Sequence, residues 1–359
     1  MKIGRITPWV KNNLRSLWRL LHRRLTLSTG KVDTEKLEFV ILAAGKSTRN
    51  YPHSKGLPHK SLAPFGSRKV IDHVVSQIIE AGGKHITIVV SNEAVKQAFQ
   101  NCFVREPEIE NKFLKKGDTI SLELLKSLYV PEDVKINYVI QPAPKGVGHA
   151  VGLVYAQMKN KDRSIVMIWP DDIILADRYT TFPENRESIY KRAVERYVRE
   201  GGRGNMVITR HVTDPERWGV VLDGFYREKP KGLKSGEAGV GFFIIDRDVC
   251  AEIAKEAKAF DAGKKVEGLV GDEMIHVPAV NRAALRDPKL MRVRAEPMLP
   301  SDTYLDCGTL EGYEKALIYT LLTESKFNRT NFRFLRKIMP RIERYIEKEA
   351  KNARKNGRN

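Results

Sequence analysis

Cysteine is scarce in this chain, and long apolar runs are missing. Its 359 residues include only Cys102, Cys250 and Cys307. They lie far apart without metal-ligand spacing, which argues against a disulfide framework or a zinc site and points to a reducing compartment. No run approaches transmembrane length, and no apolar core with a small-residue cleavage site follows the amino terminus. Neither a membrane span nor a secretory signal is therefore expected, and the setting is read as cytoplasmic. Internal repeats and low-complexity linkers are also lacking. What is present is 42% hydrophobic, enough to bury a sizeable core as one large domain or one domain with extensions.

Charge is unevenly spread. Residues 1–32 hold eight Lys/Arg and no acid, and residues 326–359 hold twelve basic and three acidic residues. The two tails carry +17 of the net +19, so the body between them is almost neutral and need not bind a polyanion. In the first tail Val10, Leu14, Leu17, Trp18, Leu21 and Leu25 recur at helical spacing between arginines. That pattern describes a basic amphipathic helix able to lie on an anionic membrane surface, to pack on the body or to pair with another subunit; an organellar transit peptide shares the composition. The second tail begins as a helical pattern and ends as a solvated charge run. Boundaries are expected at 1–36 for the amino-terminal extension, 37–325 for the main domain and 326–359 for the carboxyl-terminal helical tail.

Within the body, β-branched runs such as LEFVILAAG, HITIVVSN, KINYVIQ, SIVMIWPDD and NMVITRHV alternate with amphipathic stretches such as RKVIDHVVSQIIEAGG, GHAVGLVYAQMKN and ESIYKRAVERYVREGG. The alternation predicts an α/β, Rossmann-like, mostly parallel sheet flanked by helices. From about residue 200 to 310 shorter strands with less helix suggest a smaller lobe fused to that sheet. In such sheets ligands bind outside the carboxyl ends of the strands.

The loop after the first strand holds small residues (Ala43, Ala44, Gly45), hydroxyls, and cations at Arg49, Lys55 and Lys60. An ATPase phosphate loop needs glycine five positions before Gly-Lys-Ser, where this chain has Val40; the dinucleotide fingerprint needs three glycines, where only Gly45 is available. Both readings fail. Small residues let backbone amides approach phosphate oxygens, and cations offset charge on a leaving pyrophosphate; an ordinary polar loop fits the stretch taken alone.

Further along, QPAPKGVGHAV offers an amide at Gln141 able to pair with a base edge, and glycines at 146 and 148 that let a flat base approach the backbone. VMIWPDDIIL delivers Asp171 and Asp172 at a strand end, and YLDCGTLEGYEKA places Asp306 after another apolar run. Such carboxylates suit Mg²⁺ held jointly with substrate phosphates, or serve as helix caps. The eight histidines make no competing site; His149 and His211 read as isolated hydrogen-bonding side chains.

Together these stretches resemble the sugar-phosphate nucleotidyltransferases. The family's first motif, L-A-A/G-G-x-G-T-R-x-x-P-x-T/S-K-x-x-P-K, is matched by LAAGKSTRNYPHSKGLPHK, with Ser47 in place of the second glycine and His59 inserted before Lys60. The PKGVGHAV form looks most similar to the bacterial UTP-glucose-1-phosphate uridylyltransferases. The likeness runs from about residue 37 to 320. It implies catalytic Arg49 and Lys60; nucleotide contacts from Ala43, Ala44, Gly45, Gln141 and Gly146; Mg²⁺ on Asp171 and Asp306; and sugar-phosphate contacts from Gly219, Glu228, Lys229 and Gly241. One departure touches the sugar motif, where Val277 and Pro278 stand in place of Thr and Asp. The implied partners are a nucleoside triphosphate, UTP favoured, and a sugar 1-phosphate, glucose 1-phosphate favoured. A homo-oligomer is expected; nucleic acid is not. Another triphosphate and sugar pair, or a non-catalytic nucleotide-sugar sensor, are the alternatives.

Overall fold

A computed structural model describes residues 33–176, 187–323 and 328–355. The expected amphipathic helix in residues 1–32 lies outside the described residues. In chain order the body forms β1 (Leu37–Ala43), α1 (Val70–Glu80), β2 (His85–Val90), α2 (Glu93–Phe103), α3 (Pro107–Lys116), α4 (Thr119–Lys126), β3 (Lys135–Ile140), α5 (Val147–Gln157), β4 (Ser164–Ile168), β5 (Asp172–Leu175) and α6 (Ile189–Arg199). It continues with β6 (Asn205–Val212), β7 (Gly219–Leu222), β8 (Phe225–Glu228), β9 (Gly236–Ile245), α7 (Arg247–Asp261), α8 (Val277–Arg286), β10 (Val293–Pro297), β11 (Thr303–Asp306), α9 (Leu310–Thr323) and α10 (Asn328–Lys355).

Strands β3, β2, β1 and β4 lie side by side and run parallel, with Phe39 opposite both Ile86 and Val166. They are the continuous apolar runs of the sequence, and helices cover both faces. Val40, Ile165, Met167 and Phe243 belong to one buried cluster with Val151 and Val154 of α5 and Ile253 and Ala257 of α7. On the opposite face Phe242 meets Tyr190 of α6, ring centroids 4.8 Å apart. Gly152 brings α5 against α7, since a Cβ there would lie 2.5 Å from Ala257 Cβ.

The expected smaller lobe continues this sheet. β9 pairs antiparallel with β4, β6 and β7; β8 completes a hairpin with β7, and β10 runs parallel beside β6. Val212, Val220 and Ala238, covered by Trp218 and Leu233, give this extension a small core of its own. A separate antiparallel pair, β5 with β11, sets Asp306 directly across from Asp172.

The carboxyl-terminal tail is helical as expected over Asn328–Lys355, and the helix is longer than the charge run suggested. Its helix persists through the charged run to Lys355 and past Pro340, where Arg344 Nε donates to the Pro340 carbonyl at 3.0 Å. Ala, Glu, Lys and Arg are strong helix formers, and here they outweigh the loss of one backbone donor. Among the described residues no helix is long and apolar enough to cross a membrane.

Candidate active site

The order β3-β2-β1-β4 places a switch point beside the carboxyl ends of β1 and β4, where a crevice is expected in doubly wound sheets. A cleft of about 320 Å³ opens there, lined by Ala44, Gly45, Lys46, Arg49, His59, Lys60, Gln141, Gly146, Trp169, Asp171 and Glu273 among others. Three segments distant in sequence thus converge on one cavity. Ala43 is fully buried at the end of β1 beneath it.

Internal bonds shape the loop after β1. Ser47 holds φ 57°, the left-handed conformation that favours glycine, which gives a physical reason for glycine at this place in the family motif. Its oxygens compensate: Oγ accepts from Lys60 N at 3.2 Å and the carbonyl accepts from Ser54 Oγ at 3.1 Å. Asn50, 1% exposed, donates to the Cys307 carbonyl at 3.0 Å and so ties the loop to the residue following Asp306.

The inserted His59 does not push Lys60 away from the cleft. It caps a short helical turn over Lys60–Leu62, with Nδ1 accepting from Ser61 N at 3.2 Å, while Lys60 Nζ reaches Asp171 Oδ2 at 2.5 Å. Burial, with help from the Lys60 ammonium, lowers the His59 imidazole to about 4, so it lines the cleft as a neutral ring.

Asp171 and Asp306 face one point. A Cβ added at Gly308 would lie 2.4 Å from Asp171 Oδ2 and 3.0 Å from Asp306 Oδ1, and the sum of those distances bounds the separation of the two oxygens. Asp306 is oriented by Gly308 N at 2.7 Å and Thr309 Oγ1 at 3.2 Å. Burial favours the neutral acid at Asp171, but the charge and hydrogen bond of Lys60 prevail and hold the carboxyl below its ordinary value. Asp172 points elsewhere, accepting from Tyr304 Oη at 2.6 Å and Gly241 N at 3.0 Å. Burial, joined by the Asp171 charge, pushes it up to about 7. Two hard, convergent oxygen donors fit a Mg²⁺ ion that draws its remaining ligands from substrate phosphates and water.

Gln141 lines the cleft 5% exposed, but its amide is bonded inward: Nε2 lies 3.0 Å from the Gly146 carbonyl and 3.0 Å from His149 Nδ1. Both amide hydrogens therefore have protein partners. The glycines beside it serve the chain itself. At Gly146, with φ 92°, a Cβ would lie 2.5 Å from the Met274 carbonyl, and at Gly148 one would lie 2.9 Å from that of Ile275.

The four sugar-phosphate candidates do not line this cavity. Gly219 and Glu228 are cross-strand partners on β7 and β8, and the following Lys229 donates its N–H to the Trp218 carbonyl at 2.8 Å. The space left by Gly219 is taken by the Tyr226 ring, and Gly241 adopts φ 62° beside Asp172. Trp218 and Tyr304, ring centroids 6.3 Å apart, connect this hairpin to the aspartates, with the Arg210 guanidinium 4.8 and 4.6 Å from their centroids.

Residues 38–319 match the family described as Nucleotidyl transferase. The chain belongs to that family. A UTP–glucose-1-phosphate uridylyltransferase of Bacillus subtilis is 34% identical over 138 residues, a match spanning 38% of this chain and 45% of the relative. One from Haemophilus ducreyi is 27% identical over 303 residues, covering 81% of this chain and 95% of that protein. A solved UDP-glucose pyrophosphorylase from Acinetobacter baumannii superposes with a TM-score of 0.66 at 21% identity, over 84% of this chain and 99% of the other.

Several parts of this nucleotidyl transferase site were not singled out from sequence. Asn50, Tyr304, Gly308 and Asp261 carried no local signal. Each acts through a partner from 112 to 257 residues away, or through backbone proximity that spacing does not encode. Asn50 follows Arg49 directly, and Tyr304 and Gly308 each stand two positions from Asp306.

Proposed function

We propose that this nucleotidyl transferase joins UTP and glucose 1-phosphate, releasing pyrophosphate and forming a nucleotide sugar. The reading rests on one observation: the phosphate-type loop, Gln141 and the Asp171–Asp306 pair meet at one end of the sheet. Family membership and the names of the relatives supply the substrates.

The chemistry needs no protein nucleophile. An anionic oxygen of the sugar 1-phosphate attacks the α-phosphorus, one P–O bond forms, and the bond to the β-phosphate breaks as pyrophosphate leaves with its electron pair. Lys46, Arg49 and Lys60 line the cleft where the triphosphate is placed and offset the charge that develops on the leaving group. Gln141 and the backbone at Gly146 meet the base. Glu228 and Lys229 are assigned to the sugar hydroxyls and incoming phosphate. Asp171 and Asp306 would hold Mg²⁺, which supplies further charge neutralisation.

Pyrophosphate release from UTP, glucose 1-phosphate and Mg²⁺, compared with dTTP and other hexose 1-phosphates, tests the reading. Asp171→Asn and Asp306→Asn are each expected to reduce kcat by at least about 100-fold in protein that remains folded by circular dichroism. Full activity in both variants refutes the metal assignment; no turnover with any pair refutes the function. A cytoplasmic setting, self-association and membrane contact through residues 1–32 are part of the same proposal. Sedimentation and flotation with anionic vesicles test the last two.

A further inference from the structure

Behind Gln141 runs a chain of side chains for which the reaction above has no use. Gln141 Nε2 faces His149 Nδ1 at 3.0 Å, and His149 Nε2 faces Asp261 Oδ1 at 3.1 Å and Oδ2 at 3.2 Å. Lys145 Nζ lies 2.5 Å from Asp261 Oδ1. His149 itself is 3% exposed, between Gln141 and the edge of the Phe260 ring.

Each link dictates the next. The Gly146 carbonyl can only accept, so the amide group 3.0 Å from it must be NH₂. The second hydrogen of that NH₂ is directed at His149 Nδ1, which must accept and therefore carries no proton. The imidazole proton then resides on Nε2 and is donated to Asp261, whose carboxylate can only accept. Burial lowers the His149 pKa, in keeping with the neutral ring that this arrangement requires. Gln141 is left with Oε1, which takes no hydrogen bond among the described residues and is not sealed from the cleft.

We propose that Asp261 and His149 are positioning residues that lock the Gln141 amide with its oxygen, rather than its NH₂, available to the nucleobase. The cleft then takes a base that presents an imino N–H at its pairing edge, as uracil and thymine do, and rejects cytosine, which presents a bare ring nitrogen there. Oxygen against ring nitrogen leaves two acceptors facing each other without a proton, a mismatch that a buried polar site discriminates against strongly. This inference rests on the proposed nucleotide site and adds the origin of its selectivity.

The test uses the full chain, with UTP and CTP as probes of equal ring size. Unaltered protein is expected to prefer UTP, and Asp261→Asn and His149→Leu to lower the ratio of kcat/KM for UTP over CTP by at least about tenfold. Asp261→Glu, which keeps a carboxylate at the half-exposed end of α7, restores most of that ratio. In ¹⁵N NMR of histidine-labelled protein, His149 should show a protonated Nε2 and bare Nδ1, and Asp261→Asn should mix the tautomers. A protonated Nδ1 in the unaltered protein overturns the proposal. So does equal loss of UTP and CTP turnover in Asp261→Asn, which leaves the nucleotidyl transfer itself standing. Absence of turnover with either triphosphate removes both.

Discussion

Gly308 occupies ground that a methyl group would have to share with two carboxylates. A Cβ 2.4 Å from Asp171 Oδ2 is closer than side chains approach, so Gly308→Ala must turn Asp171 aside. We expect the folded variant to lose about 10- to 100-fold in kcat and to need more Mg²⁺ for half-maximal rate, as read from a metal titration. His276 offers a different residue-scale test. Among the described residues both its ring nitrogens are buried without a hydrogen-bond partner, beside Trp169, Tyr226 and Phe243, and burial lowers its pKa to about 4. The unfolded ring binds its proton near 6.5 and the folded ring only near 4, so the unfolded state holds more protons between those values. Stability therefore declines as pH falls from 6.5 towards 4. In His276→Phe the decline should be shallower, by up to about 3 kcal/mol at the acid end, in urea unfolding at several pH values. An unchanged slope would show that the ring is not what titrates.

At the scale of elements, packing constraints are concentrated where strands hand over to loops. The start of α5 is pressed against segment 273–275, and Gly146→Ala would set a Cβ 2.5 Å from the Met274 carbonyl in a left-handed backbone. A loss of about 2–4 kcal/mol in denaturant unfolding is expected, with weakened nucleotide binding. α6 is joined to the segment before β11 by Arg192 and Asp302, whose side chains are 1% and 0% exposed. Asp302→Ala strands a buried guanidinium and should cost about 3–5 kcal/mol in the same experiment. The parallel strands and their helices were readable because each is a long periodic run: LEFVILA and HITIVV are buried along nearly their whole length. Loop chemistry after β1 was readable because its residues are contiguous. The pairing of β5 with β11 was not, since two four-residue strands 131 positions apart carry no period that joins them. Tyr304 on Asp172, Lys60 on Asp171 and Asp261 on His149 all depend on such long-range closures. Contact between Gly219 and the Tyr226 ring likewise emerges only from the hairpin register.

At the scale of the whole molecule, chemistry and surplus charge fall in different stretches of the sequence. The described cleft draws on residues 42–273, whereas most of the net positive charge belongs to the two tails. A chain lacking residues 1–32 should keep kcat within about twofold at moderate salt, because the cleft's lining comes from residues 42–273 and salt screens added charge. A large, salt-sensitive drop would instead assign the tail a share of the catalytic field. Within the cleft, Lys60 bonded to Asp171 gives the protein an internal counter-ion. Folding consequently does not wait for a divalent ion to relieve two crowded acids. Saturating chelator should abolish turnover yet leave the melting temperature where it was, so that a preparation stripped of magnesium would pass every assay of structural integrity while remaining catalytically silent.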